Sequence, residues 1–480
     1  MSQMENVFIS KVEIVTGSMH AILPQSTGRY DVHKRVQRSN AIVEPAMFAS
    51  ARDASPTYLL PGWSDAVHPE GKVYFHRSGD LRVVTECDMH DPEVAAKVAA
   101  WTSHVLQCAV DQEITFTSTM ELFLQPDEDD CNYYIVDHAT QTVFWLTRDE
   151  TDDLGLLPVV SPSHLQLQLQ AQYWAHVENF CMHIGGLPQK CIDELILIFS
   201  HGLADNLTST LSTFPYDAAA TEKFLNLLRS SRDQIHEGYV VAIVARLWGL
   251  IMYNRYETHY GQDQARLSRD SSILVDEVDE IKWTKTAVSI LTFRMSETYN
   301  NRLNSLFVDQ FVFGNDWTSF MTHCMTSWQH STVASAALLL FHAFCFFLPI
   351  SPALAYSSAT LSTLSILTSA VLINRHDELS AASAVPAHEF LSSIISPIFK
   401  FQGAAFIYSL PKVLFVYGLL AFVSQWIIIL CQFLPLSQVA FFISVIATVF
   451  FALHVATSRT RLRAPILPSW RHNAKETSIA

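Results

Sequence analysis

The sequence predicts an α+β protein: small antiparallel hairpins, then an all-helical cytosolic region, then four transmembrane helices. Three observations carry this. Residues 317–374 and 413–458 contain no Asp, Glu, Lys or Arg, uncharged runs of 58 and 46 residues. Charge divides at the same place, with eight Lys/Arg and four acids in residues 331–480 against 23 and 42 in residues 1–330. Two strand-turn-strand patterns occupy the first third, and apolar residues at i, i+3 and i+4 take over from about residue 161.

Residues 1–58 are mixed and weakly periodic, with a basic patch HKRVQR at 33–38, and read as a weakly ordered segment. The N-terminus lacks a basic stretch followed by an apolar core, so no secretory signal is expected. Residues 59–150 hold two hairpins. In the first, KVYFHR and LRVVTE flank Ser78-Gly79-Asp80; in the second, NYYIVDHATQTVFWLT turns at His138-Ala139-Thr140-Gln141. Between them, Val94, Val98, Trp101, Val105 and Cys108 recur at helical spacing, predicting an amphipathic helix over residues 92–111.

Residues 161–330 read as a separate domain of five to seven helices. Pro188, Pro215 and Gly185-Gly186 mark its breaks, and Asp217 a helix start. The stripe Tyr173, Trp174, Val177, Phe180 fits a helix–helix core.

Residues 331–458 provide four segments near the roughly 20 apolar residues a span requires: 331–350, 353–373, 413–434 and 437–457. Phe347-Leu348-Pro349-Ile350-Ser351 and Phe433-Leu434-Pro435-Leu436-Ser437 nearly repeat each other, and short proline turns of this kind join antiparallel hairpins. Arg375, Lys400, Lys412, Arg459, Arg461 and Arg463 then fall on one side, placing both termini in the cytosol. The connection HEFLSSIISPIFKFQ reads either as an interfacial amphipathic helix or as a loop helix packed on protein. Only His342 and His454 are ionisable within the spans and neither has a carboxylate partner there, which favours an anchor over a transport path. Residues 459–480 form a basic cytosolic tail whose Pro465 and Pro468 offer either a proline-motif ligand or a lipid-contacting segment.

Several function classes drop out. The acidic front half gives no reason to expect nucleic acid. The eight cysteines include no CxxC pair, so neither a disulfide framework nor a zinc motif is visible. GxGxxG, GxxxxGK[ST], GxSxG and HExxH are absent. Acids at 127–130 and 149–153 lack calcium-loop spacing. Histidines 164, 176, 183 and 201 lack metal spacing and read as core or surface residues. The expectation is a non-enzyme with no catalytic residue, no metal site and no cofactor.

The run Tyr134-x-x-Asp137-His138-x-Thr140-x-Thr142-x-x-Trp145 resembles the second and third strands of a WW domain, a reader of proline-rich peptides. Residues 59–75, with Leu60-Pro61-Gly62-Trp63, Pro69-Glu70-Gly71 and Tyr74-Phe75, resemble the N-terminal half of the same family. Trp63, Tyr74, Phe75 and Phe123 would be scaffold residues. Tyr134, His138 and Trp145 would form a peptide slot, with Phe123 on the opposite face. Ser78 and Thr85 stand where the first copy would need its slot residues. Tyr134 and Trp145 also fit a purely structural cross-strand pair, and the two hairpins can join in one composite sheet. The layout further resembles fungal multi-pass membrane proteins carrying WW-type segments, a likeness that brings no activity. The resulting expectation is a multi-pass membrane-anchored adaptor whose partners are the bilayer and proline-rich segments, with self-association left open. The alternative is a structural membrane protein whose hairpins bind nothing.

Overall fold

Seven short strands form one sheet, and their order explains how two hairpins distant in sequence share a core. In the computed structural model, which describes residues 17–30, 37–47, 49, 59–79, 81–209, 211–274, 282–345, 352–382 and 384–461, the strands are β1 (Met19–Ala21), β2 (Trp63–Val67), β3 (Val73–Arg77), β4 (Arg82–Thr85), β5 (Met120–Asp127), β6 (Asp130–Asp137) and β7 (Thr142–Phe144). They run β1-β6-β5-β4-β3-β2, with β7 also paired to β6. The hairpins meet where β4 lies parallel to β5, Val84 beside Phe123.

A parallel pair needs a crossover, and helix α1 (Pro92–Asp111) supplies it. Asp91 caps its first turn by accepting from the Glu93 amide at 2.9 Å. Val98, Trp101 and Val105 pack on Phe75, Val83, Leu122 and Leu124, closing one face of the sheet.

The other face carries Tyr74, Val84, Phe123, Tyr134, Val136 and Val143. Covering it are helices α2 (Pro162–Asn179), α3 (Gln189–Thr208), α4 (Ala218–Ser230) and α5 (Gly238–Glu257). Trp174 of α2 stacks on Trp248 of α5 at 5.6 Å. The expected division at residue 161 is therefore corrected: α2–α5 belong with the sheet in one unit, Met1–Val275. The physical reason is visible in Leu122-Phe123-Leu124 and Tyr133-Tyr134-Ile135-Val136, where consecutive buried residues require cover on both faces. Part of the N-terminal segment is also ordered. β1 pairs with β6, and Arg29 forms a buried ion pair with Glu86. Most of HKRVQR lies outside the described residues.

The second unit, Asp276–Ala480, is helical. It comprises α6 (Lys282–Leu291), α7 (Met295–Leu306), α8 (Gly314–Cys345), α9 (Pro352–His376), α10 (Ala384–Ile394), α11 (Gln402–Phe433) and α12 (Leu436–Arg461). Among the described residues, two helices rather than four are long and apolar enough to cross a membrane: α9, with mean hydropathy 1.4, and α11, with 2.3. The first half of α8 is diluted by Asp316, His323, Gln329 and His330. The 347–351 turn and residues 462–480, with Pro465 and Pro468, lie outside the described residues. The turn at Pro435 separates α11 from α12. Helix α10 buries Ala387 and Leu391 in a cluster with Trp317 and Phe401, so that side packs on protein.

The polarity of this unit is reversed. Ser358, Ser362, Ser365 and Ser369 of α9 are fully buried, while Tyr356, Leu364, Leu367 and Val371 face outward. The Ser358 hydroxyl donates to the Gly418 carbonyl and that of Ser365 to the Pro411 carbonyl, both at 2.7 Å. A Cβ at Gly418 would stand 3.1 Å from the Ser362 hydroxyl, so glycine permits this close helix approach.

Candidate metal centre

Strand alternation puts Glu121 and Phe123 of β5 on the face covered by α2, while Leu122 and Leu124 face α1. Glu121 is thus a carboxylate in the middle of a sheet core, with no exposed surface. Such a charge requires compensation. Among the described residues its ion-pair partners are three histidines. His138 follows β6, His176 comes from α2, and His183 lies in the loop after α2.

Glu121 Oε2 is 3.2 Å from His138 Nε2. Its Oε1 is 2.9 Å from His183 Nε2 and 3.8 Å from His176 Nε2. The donor atoms of Glu121, His138 and His176 all lie within 4.8 Å of one another. Each imidazole is held from behind by a tyrosine hydroxyl at its Nδ1: His138 by Tyr173 at 3.2 Å, His176 by Tyr134 at 3.1 Å and His183 by Tyr74 at 3.1 Å. Tyr74 also accepts the Met182 amide at 3.0 Å, which fixes the start of the His183 loop. Orienting partners on the outer nitrogen, with the inner nitrogens converging, is the arrangement that tunes imidazole ligands to a metal.

The electrostatics agree. Burial alone would raise the Glu121 pKa, but the charge and hydrogen bond of His183 and the hydrogen bond of His138 outweigh it and hold the carboxyl well below its ordinary range. Burial pushes His176 down to about 3, against the opposing pull of Glu121, so its ring is neutral. His176 Nε2 is buried without a hydrogen-bond partner. With the proton on Nδ1, facing Tyr134, the free Nε2 lone pair is aimed at a carboxylate. A cation between them satisfies both. Burial raises the Tyr134, Tyr173 and Tyr74 hydroxyls, which therefore remain protonated.

The donor set fits a divalent transition metal. Imidazole and carboxylate are common ligands of zinc, and bonds of about 2.0–2.1 Å in a tetrahedron place neighbouring donors about 3.3 Å apart. The observed separations are of that order but run to both carboxylate oxygens, 2.9 and 3.8 Å from Oε1 to His183 and His176 and 3.2 Å from Oε2 to His138. Glu121, His138 and His176 supply the converging donors, with His183 on the same carboxylate as a candidate fourth, and even His138, the most open of them, has a side chain only 15% exposed.

The expected peptide slot is absent from this geometry. Tyr134 is fully buried beneath α2, and Trp145 is half-buried with its indole N–H donating to the Ile22 carbonyl at 3.0 Å. His138 points to Glu121 and Tyr173. Phe123 was expected on the face opposite Tyr134, yet the two are cross-strand partners with rings stacked at 4.7 Å. Directly opposed residues of an antiparallel pair share a face. Of the scaffold residues, Tyr74 supports His183, Phe75 faces α1, and half-buried Trp63 opens β2 under the Arg77 guanidinium.

Against the expectation of no metal site stands a candidate group, Glu121, His138 and His176, whose donor atoms could hold an ion. Its residues, with His183, are scattered from 121 to 183, so no local spacing reveals them. One signal was available: His176 falls on the inner stripe of α2, three residues after Tyr173 and four before Phe180. Comparison with protein-family models, with curated proteins and with solved structures returns no match for this chain.

Proposed function

We propose that this chain is a membrane-anchored scaffold whose N-terminal unit is stapled by one divalent transition-metal ion on Glu121, His138, His176 and His183. The observation that carries the reading is the convergence of three tyrosine-backed imidazoles on a buried carboxylate, with His176 Nε2 unpartnered. The four ligands come from a strand, a turn, a helix and a loop. An ion there ties α2 and its following loop to the sheet, and four protein donors leave no position for a substrate.

The anchor half rests on α9 and α11, and we extend it to α8 and α12 as further spans. Supporting α8 as a third is the same reversed polarity: Ser331 and Ser335 are buried while Val333, Leu340 and Phe341 face out. Helix α12 exposes Phe441, Val445, Val449 and Phe451. Arginines and lysines then flank the spans on one side, with both termini cytosolic.

The test is metal analysis of the full-length protein purified in detergent. One equivalent of zinc, or of cobalt after exchange, is expected, with loss of the ion in His176→Ala and Glu121→Ala. Full occupancy in both variants would refute this ligand set.

A further inference from the structure

Helix α6 and the turn after it are built inside out. The side packed on the unit is polar. Ser289 and Thr292 are buried, Thr284 donates to Gln402 Oε1 at 2.8 Å, and the Ser289 hydroxyl donates to Glu297 at 3.0 Å. The side facing away is apolar: Trp283 and Ile290 are each 73% exposed, with Leu291 and Phe293 also exposed. In water this places the greasy face of an amphipathic helix on the wrong side.

What the helix leans on identifies the solvent. Thr284 bonds Gln402 at the start of α11, while Tyr417, further along α11, donates its hydroxyl to the Leu291 carbonyl at 2.7 Å. The Phe293 ring lies 5.1 Å from the Tyr417 ring. Helix α11 has 32 residues, roughly 48 Å at about 1.5 Å per residue, longer than a hydrocarbon core of about 30 Å. Its first turns therefore lie in the interfacial layer, where α6 begins beside Gln402 before following α11 as far as Tyr417.

We propose that α6 is an interfacial helix whose Trp283–Ile290–Phe293 face inserts into the acyl boundary of a phospholipid bilayer. This rests on the reading of α11 as a span. Residues 276–294 carry four acids and three bases, so apolar burial rather than charge supplies the attraction. Tryptophan at one end suits the interface, where its ring is buried and its N–H stays hydrated.

The experiment uses the full chain in phosphatidylcholine nanodiscs with and without brominated acyl chains. Two difference signals are recorded: wild type minus Trp283→Phe, and wild type minus Trp426→Phe, with Trp426 inside α11 as the control. The expected result is that both tryptophans are quenched, Trp283 losing about half or more of its intensity as a group buried roughly 5–10 Å into the boundary. Quenching of Trp426 with none at Trp283 overturns the inference and leaves the span standing; iodide then shows whether water or protein covers α6. No quenching at either position overturns the anchor reading itself.

Discussion

The two units bury opposite things. In the N-terminal unit, aromatic and aliphatic side chains fill both faces of the sheet, and the main polar intrusion is a Glu–His–Tyr cluster converging on one point. In the C-terminal unit serines line the helix contacts, hydrogen-bonding one another and backbone carbonyls, while leucines and valines face out. Buried polarity distributed along the helix contacts, most of it hydrogen-bonded although Ser362 Oγ and the Gln425 amide have no partner, is the pattern that cements helices where no hydrophobic drive exists between them. Buried polarity gathered on one point, three imidazoles around one carboxylate, is what makes a candidate site. The difference is what the proposed placement, water around one unit and lipid around the other, requires.

The largest effect that sharpens this contrast is a core truncation. Trp174→Ala, removing a fully buried ring stacked on Trp248, is expected to destabilise the N-terminal unit by about 3–5 kcal/mol. Ser365→Ala in the serine stripe is expected to cost only about 0.6–1.7 kcal/mol. Chemical unfolding in detergent reads both, and equal losses would erase the distinction.

The contrast is attacked from outside by placing a charge on an exposed apolar position in each unit. Val371→Asp, at a residue 65% exposed on α9, is expected to disfavour insertion by about 2.5–3.5 kcal/mol. Leu267→Asp, at a residue 88% exposed in the N-terminal unit, should stay within about 0.5 kcal/mol of wild type. A membrane-integration assay and a stability measurement check the pair, and a harmless Val371→Asp would mean that α9 faces water.

Acid should act on the metal-free N-terminal unit through two groups. His176 is neutral when folded, with its value lowered from 6.5 to about 3. The unfolded chain therefore binds a proton there that the folded one refuses, and stability falls as pH drops from about 6.5 toward 3. Glu121, held below 4.5, adds a contribution present above that value and lost as pH falls through its folded pKa. His176→Gln should flatten the first part of the loss and leave the second. A thermal-unfolding series in chelator from pH 7 to about 3 tests this, and unchanged acid sensitivity in the variant between pH 6.5 and 4.5 would contradict it.

Two smaller effects bear on Trp145 and Asn206. Trp145→Ala removes a half-buried ring and its hydrogen bond to Ile22, and should cost about 1–3 kcal/mol, below the about 3–5 expected for fully buried Phe123→Ala. Asn206-Leu207-Thr208 is a glycosylation sequence on α3, with Asn206 donating to the Tyr216 carbonyl at 2.8 Å. Expressed in a eukaryotic host it should show no glycosidase-sensitive mobility shift, as the proposed cytosolic placement of this unit requires.

Much of the secondary structure was legible because its signals are local. The 92–111 helix announces itself through Asp91-Pro92 and the Val98, Trp101, Val105 spacing, and the 138–141 turn through its flanking strands. Assembly was not. Pairing β4 with β5 spans α1, and nothing within either hairpin specifies it. Tyr134 sat in a motif that reads as an exposed aromatic wall, yet the burial of both Tyr133 and Tyr134 already implied cover on two faces. The candidate centre was hidden for the same reason: Glu121 precedes Leu122-Phe123-Leu124 in what looks like a strand edge, and only the tertiary fold sets it beneath His176.

X-ray absorption at the zinc edge of the full-length, zinc-loaded protein tests the central claim most directly. The account predicts four light-atom donors at about 2.0–2.1 Å, with the outer-shell scattering of three imidazoles and no sulfur. A sulfur shell, a six-coordinate oxygen shell, or a spectrum unchanged by His176→Ala would contradict it.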